Sequence, residues 1–311
     1  MQFETGENLR GYYQLSGRYS AGSLAAVIVI GFFTAVILGG LHGILYHYIP
    51  YVKLSLLAGI VMAAAMGGAI NLCGTNLKIR NPVVMILAAL FLGIVYEYFM
   101  WIGWIYAISD REAIVIDLLS LFYVMSKLSE TGFYTIGGST PVGWFLWMLW
   151  FAESAIYMGM IVGIVQNTYK EKIFSENSQI WITRKKDFLP RPSVSDWNNT
   201  VRLLEAGIFD DWLKSAEPRE EAPNPYIDIY IMHNDPDEEF FVMTIIESTI
   251  TRDNKGNETT VSRTIVKNLH VTKEVWETLD QQDEDFAIQR RSKIPGLNPA
   301  MDDYEEEELD Q

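Results

Sequence analysis

Residues 23–48 read SLAAVIVIGFFTAVILGGLHGILYHY, 26 residues without a Lys, Arg, Asp or Glu. A bilayer core of about 30 Å takes roughly 20 mainly apolar residues as a helix, so this stretch predicts a transmembrane span. About twenty mostly polar residues precede it, and its apolar run exceeds the roughly 7–15 residues of a secretory signal. It is therefore expected to stay in the mature protein. Working outward, residues 54–73, 82–107 and 142–166 meet the same criterion, giving an α-helical bundle of four spans. The connections at Ile49-Pro50-Tyr51 and at Gly74 to Asn81 are short, which makes the first three helices antiparallel neighbours.

The third connection, residues 108–141, is longer. Within it, residues 113–128 are apolar but interrupted by Asp117 and Lys127. At roughly 24 Å of helix the segment is short for a span, and it reads as interfacial or re-entrant. Gly132, Gly137, Gly138 and Pro141 close it with a turn. Were it to cross, everything after it would change sides.

Charge sorts the two halves of the chain. Of 311 residues, the first 169 carry seven Lys and Arg against eight Asp and Glu, whereas the remainder carry 17 against 31. Such an acidic surplus argues against nucleic acid as a partner, because phosphate binding needs clustered cations. One Cys excludes an intrachain disulfide, and one Cys with four His argues against a structural metal. Lys and Arg near the helix ends set orientation. Arg10, Arg18, Lys78, Arg80, Lys170, Lys172, Arg184, Lys185 and Lys186 gather on one side, against Lys53, Arg111 and Lys127 on the other. Both termini are thus expected in the cytoplasm. Tyr46, Tyr48, Tyr51, Trp101, Trp104, Tyr106 and Trp144 form an aromatic belt at the opposite boundary.

Small residues recur four apart: Gly39 with Gly43, Gly59 with Ala63 and Gly67, and Gly159 with Gly163. These surfaces let helix backbones approach closely, either inside the bundle or between copies of it. Two acids and a histidine lie at membrane depth: Glu153 near the midplane of the fourth span, Glu97 deep in the third, and His42 on the first at a level similar to Glu97. Intramembrane ionisable groups are functional candidates by default. One reading is a proton or cation path through Glu153, Glu97 and His42. The other is that neutral carboxyls hydrogen-bond to Tyr96, Ser154 or Tyr157 and hold the bundle together.

The hairpin at Ile49-Pro50-Tyr51, the Lys78-Ile79-Arg80-Asn81 connection, the Trp101 to Trp104 end of the third span and Trp150-Phe151-Ala152-Glu153 together resemble a group of uncharacterised bacterial four-span membrane proteins. The resemblance covers the first half of the chain. It implies a bacterial inner membrane and the topology above, and supplies no activity.

Residues 170–189 read as a juxtamembrane connector whose Arg184-Lys185-Lys186 knot suits anionic lipid or simple positive-inside bias. Residues 190–282 read as a small soluble α+β domain. Val201 to Ile208 suggest a helix ended near Gly207, and Phe209, Trp212 and Leu213 add a second apolar turn. Residues 216–225 are a linker, followed by a strand over Tyr226 to Met232. Residues 240–251 and 258–267 form a hairpin about the Asp253 to Asn257 turn. A helix is expected after Thr272 as N-cap. Residues 283–311 read as a disordered acidic tail in which Tyr304 and Leu309 could serve as a docking peptide.

No phosphate-loop, dinucleotide-binding, His-Glu-x-x-His or Gly-x-Ser-x-Gly pattern occurs. His233 beside Asp235 and Asp237 reads as a strand-ending turn rather than a metal site. The expectation is a non-enzymatic structural or interaction subunit needing no cofactor or metal. Its partners would be membrane lipid and either other proteins or a second copy of the chain. The alternative is a transport or channel subunit.

Overall fold

The computed structural model describes residues 11–49, 51–132, 138–219, 224–233, 240–253 and 255–293, and the chain divides into two compact units. Pro50, Gly137, Asp235, Asp237, Tyr304 and Leu309 lie outside the described residues.

The unit Leu15–Lys172 begins where the Ser20 hydroxyl accepts from Ser23 N at 2.9 Å, starting α1 (Ala21–Tyr48). α2 (Val52–Asn76) follows, and Asn81 caps α3 (Pro82–Ile108) through a 3.1 Å bond from Val84 N, with Pro at the first helical position. α5 (Trp144–Glu171) completes the set. All four are long and apolar enough to cross a membrane. Their principal contacts run α1 to α3, α3 to α5, α5 to α2 and α2 to α1, a closed four-helix bundle in which α2 and α3 lie on a diagonal rather than as the neighbours their short connection suggests. Its polarity is inverted relative to a water-soluble bundle. Phe33, Ile37, Leu57, Val61, Leu87, Ile94 and Phe151 are exposed, while His42, Ser55 and Thr75 are buried.

Between α3 and α5 lies α4 (Leu118–Thr131), whose 14 residues rise about 21 Å. Asp117, which the sequence presents as an interruption, is its N-cap, accepting from Ser120 N at 2.7 Å. Leu121 and Met125 pack with Ile102, Ile105, Leu146 and Trp150. Leu119 and Tyr123 on the outer face are exposed. Upstream, the Tyr98 hydroxyl donates to Ile116 O, so the segment between α3 and α4 folds back along α3.

The second unit joins the described residues from Ile173 onward to residues 11–14. Its five-stranded antiparallel sheet runs β3 (Arg184–Asp187), β5 (Tyr226–His233), β6 (Phe241–Arg252) and β7 (Glu258–Val271). β4 (Arg191–Pro192) also pairs with β5. A separate hairpin holds β1 (Ile173–Ser175) and β2 (Ile180–Ile182). Strand alternation buries Ile227, Ile229, Ile231, Phe241, Met243 and Ile245 on one face. This face meets Leu204 of α6 (Trp197–Glu205), Trp212 and Leu213 of α7 (Asp210–Ser215), and Val275 and Leu279 of α8 (Lys273–Ser292). On the opposite face Val242 packs with Ile173 and Ile182 of the β1–β2 hairpin and with Tyr13.

Three features differ from the sequence expectation. The unit starts at Ile173 rather than 190, because Ile173 and Ile182 need Val242 to cover them. α8 continues through residue 283 to Ser292, held by Asp283, which accepts from Leu189 N at 2.7 Å and pairs with Arg191 at 2.5 Å. The sheet's outer edge takes in the N-terminal segment: Tyr12 bridges Leu269, and Tyr13 N donates to Asn268 O at 2.6 Å.

Candidate functional site

Close approach of α1 and α3 positions the polar core of the bundle. A Cβ on Gly39 would lie 2.4 Å from Tyr96 O, and one on Gly43 would lie 2.0 Å from Met100 O. Only hydrogen fits at either place. On the other pair of helices Gly59 faces the Tyr157 ring, Gly67 faces the Ile161 backbone, and Ala63 is fully buried. Gly159 and Gly163 differ: a Cβ on either meets nothing within 4 Å. The same four-residue spacing thus packs the bundle in α1 and α2 and leaves an open face on α5.

With the backbones so close, α1, α3 and α5 exchange three side-chain hydrogen bonds. Tyr46 of α1 donates to Glu153 Oε2 of α5 at 3.1 Å. Ser154 of α5 donates to Glu97 Oε2 of α3 at 3.0 Å. Tyr96 of α3 and His42 Nδ1 of α1 lie 2.8 Å apart. Each bond joins a different pair of helices, so the three close a triangle across the bundle. The His42 ring, fully buried, also stands edge-on to Tyr157 at 5.0 Å. Beside this cluster Tyr46, Met100, Trp101, Trp104, Trp150, Glu153 and Ser154 line a cavity of about 10 Å³, room for one water molecule. His42 Nε2 and Glu97 Oε1 are buried without a hydrogen-bond partner.

The depth match between His42 and Glu97 does not become a contact in this network. Adjacent residues on a helix point about 100° apart, so α3 offers Tyr96 to α1 and Glu97 to α5. Tyr46, assigned from sequence to the aromatic belt, is the Glu153 partner. The arrangement gives each carboxyl one hydroxyl donor, and chemically it is a set of cross-helix ties. Among the described residues no group of three or more His, Cys, Asp or Glu could hold a metal ion.

In the sheet unit, the basic knot is built into β3. Lys185 pairs with Asp187 at 2.6 Å and sits over the Tyr230 ring, and Lys186 pairs with Asp280 beside the Trp276 ring. Arg184 is paired in register with His233. Arg191, fully buried, is tied to Asp283 and to Leu279 O at 3.3 Å. Glu247 accepts from Ser193, from Trp197 Nε1 at 2.7 Å and from Arg263 at 2.9 Å, and these donors hold its carboxyl below the usual carboxylate range. These are structural ties within one domain.

No family model, curated protein or solved structure matches this chain.

Proposed function

We propose that the chain is an integral protein of the bacterial inner membrane, in which the four-helix unit anchors the sheet domain on the cytoplasmic face as a structural or interaction subunit of a larger assembly. The observation that carries this reading is the triangle of hydrogen bonds among α1, α3 and α5, beside a cavity with room for a single water. A conduction path needs its carboxyls in continuous contact with water, whereas ties need them turned toward one another.

The pairing of residues 12 and 13 with β7 bears on topology. Tyr12 and Tyr13 precede α1, and Leu269 and Asn268 follow α5, so both segments must lie on one side of any membrane. The number of crossings between them is then even. Four spans satisfy this and a spanning α4 does not. Lys and Arg asymmetry supports the cytoplasm as that side.

The rival reading, a proton or cation path through Glu153, Glu97 and His42, draws on the two unpartnered atoms, His42 Nε2 and Glu97 Oε1. Glu153→Gln separates the two. Gln keeps the size and the acceptor that Tyr46 needs but cannot titrate. The variant is expected to assemble normally and to complement a deletion of the gene. Normal assembly with loss of complementation would reject the structural reading in favour of the path.

A further inference from the structure

At the end of the bundle where α1 and α3 finish, Ile44, Tyr48, Tyr106 and Ala107 wall an open cleft of about 230 Å³, which Arg111 completes from the following turn. The backbone goes out of its way to put Arg111 there. Asp110 at φ 55° and Arg111 at φ 71° are both in the left-handed region, which disfavours residues with a Cβ by about 1 kcal/mol or more each. Arg111 N donates to Tyr106 O at 3.0 Å, and its guanidinium donates from Nη2 to the Tyr48 hydroxyl at 3.2 Å. Glycine would make this turn without strain, yet the position carries a long cation. Among the described residues Arg111 forms no ion pair, with Asp110 and Glu112 included. An exposed guanidinium thus borders a cleft walled in part by Ile44 and Ala107.

The cleft is ordered along the helix axis. Tyr48 and Arg111 are at the mouth, while Ile44 is four residues, or about 6 Å, deeper on α1. The same end carries the exposed Tyr51 and Trp144, side chains of the kind that settle at lipid headgroups. A planar guanidinium beside a hydroxyl suits two oxygens of a phosphate, and the apolar wall below suits the first methylenes of an acyl chain.

We propose that this cleft binds one membrane phospholipid by its phosphate, with Arg111 as the charge partner and Tyr48 as a second donor. The proposal rests on the bundle crossing a membrane. Free phosphate shares the headgroup chemistry but has no use for the walls of Ile44 and Ala107.

The test uses the full chain, purified in mild detergent, stripped of lipid, and titrated with phosphatidylglycerol in mixed micelles under native mass spectrometry. One tightly held phospholipid is expected. Arg111→Gln should lower its occupancy at least about tenfold, the value of one charge-assisted pair. Tyr48→Phe should lower it less, and both variants should keep the wild-type unfolding midpoint. Inorganic phosphate at equal concentration should not displace the lipid. Equal lipid retention by Arg111→Gln overturns the proposal. So does Arg111-dependent binding of inorganic phosphate without lipid preference. Release of the chain from membranes by alkaline carbonate would overturn the membrane reading itself, whereas carbonate resistance without an Arg111-dependent lipid overturns this proposal alone.

Discussion

Gly43→Ala is the sharpest probe of how the bundle is held. The added Cβ would lie 2.0 Å from Met100 O, 2.5 Å from Trp104 N and 3.0 Å from Gly103 C. A carbon normally approaches a carbonyl oxygen no closer than about 3.3 Å, so the shortfall is about 1.3 Å. All three obstructing atoms belong to the α3 backbone, and no rotamer change relieves them. The helices must part by roughly an ångström, loosening the Gly39 contact with Tyr96 and the bond between Tyr96 and His42. Overpacking of this kind costs about 1–3 kcal/mol and occasionally more, and the lack of a flexible neighbour puts Gly43 at the upper end. Against this stands a gain of up to about 1 kcal/mol for replacing Gly by Ala within a helix. The net expectation is a loss of about 2 kcal/mol. Gly163→Ala, in the same sequence motif but with nothing within 4 Å, has only the gain and should be neutral or slightly stabilising. Reversible unfolding of the full chain in mixed micelles, followed by Trp fluorescence, measures both. Equal stability of the two variants would refute the assignment of which small-residue face packs inside.

In the sheet unit, Asp283→Ala removes the carboxylate facing Arg191, whose side chain is wholly buried, and should destabilise the domain by about 3–5 kcal/mol. Faster hydrogen exchange in β4 and α8 of the full chain checks it, and wild-type protection would contradict it. His270 supplies a pH dependence. Burial among Tyr13 and Phe240 lowers its pKa below the usual 6.5. The unfolded chain then binds a proton that the folded one refuses, so stability is full above about pH 6.5 and falls as pH drops below it. His270→Phe, which keeps an aromatic ring beside Tyr13 and Phe240, should flatten the unfolding midpoint between about pH 7.5 and 5, and an unchanged slope would remove His270 from the account.

The long elements were legible because their signals are local and repeated. Each apolar run announces a helix, and Ile227, Ile229 and Ile231 alternate cleanly enough to mark β5. Which way a helix faces was not legible. Spans that are apolar all round carry no stripe, so neither the bond between Tyr46 and Glu153 nor the distinct uses of Gly43 and Gly163 left a mark on the sequence. The strands β1 to β4, two to four residues each, are too short for a period to appear. Pairing of Tyr12 with Leu269 spans most of the chain and has no local code. The end of α8 resembles a tail in sequence because its composition is acidic and polar. Distant partners hold it at residues 282 and 283: Leu213 O, Leu189 N and the Arg191 guanidinium.

On the proposed reading, the polar core of the bundle ties helices together rather than carrying ions. Proteoliposomes containing the full chain and a trapped pH-sensitive dye, held under a membrane potential, test this most directly. Proton flux no greater than in protein-free liposomes is expected, with the same result for Glu153→Gln. Flux in the wild type that Glu153→Gln abolishes, with the variant incorporated equally, would contradict it.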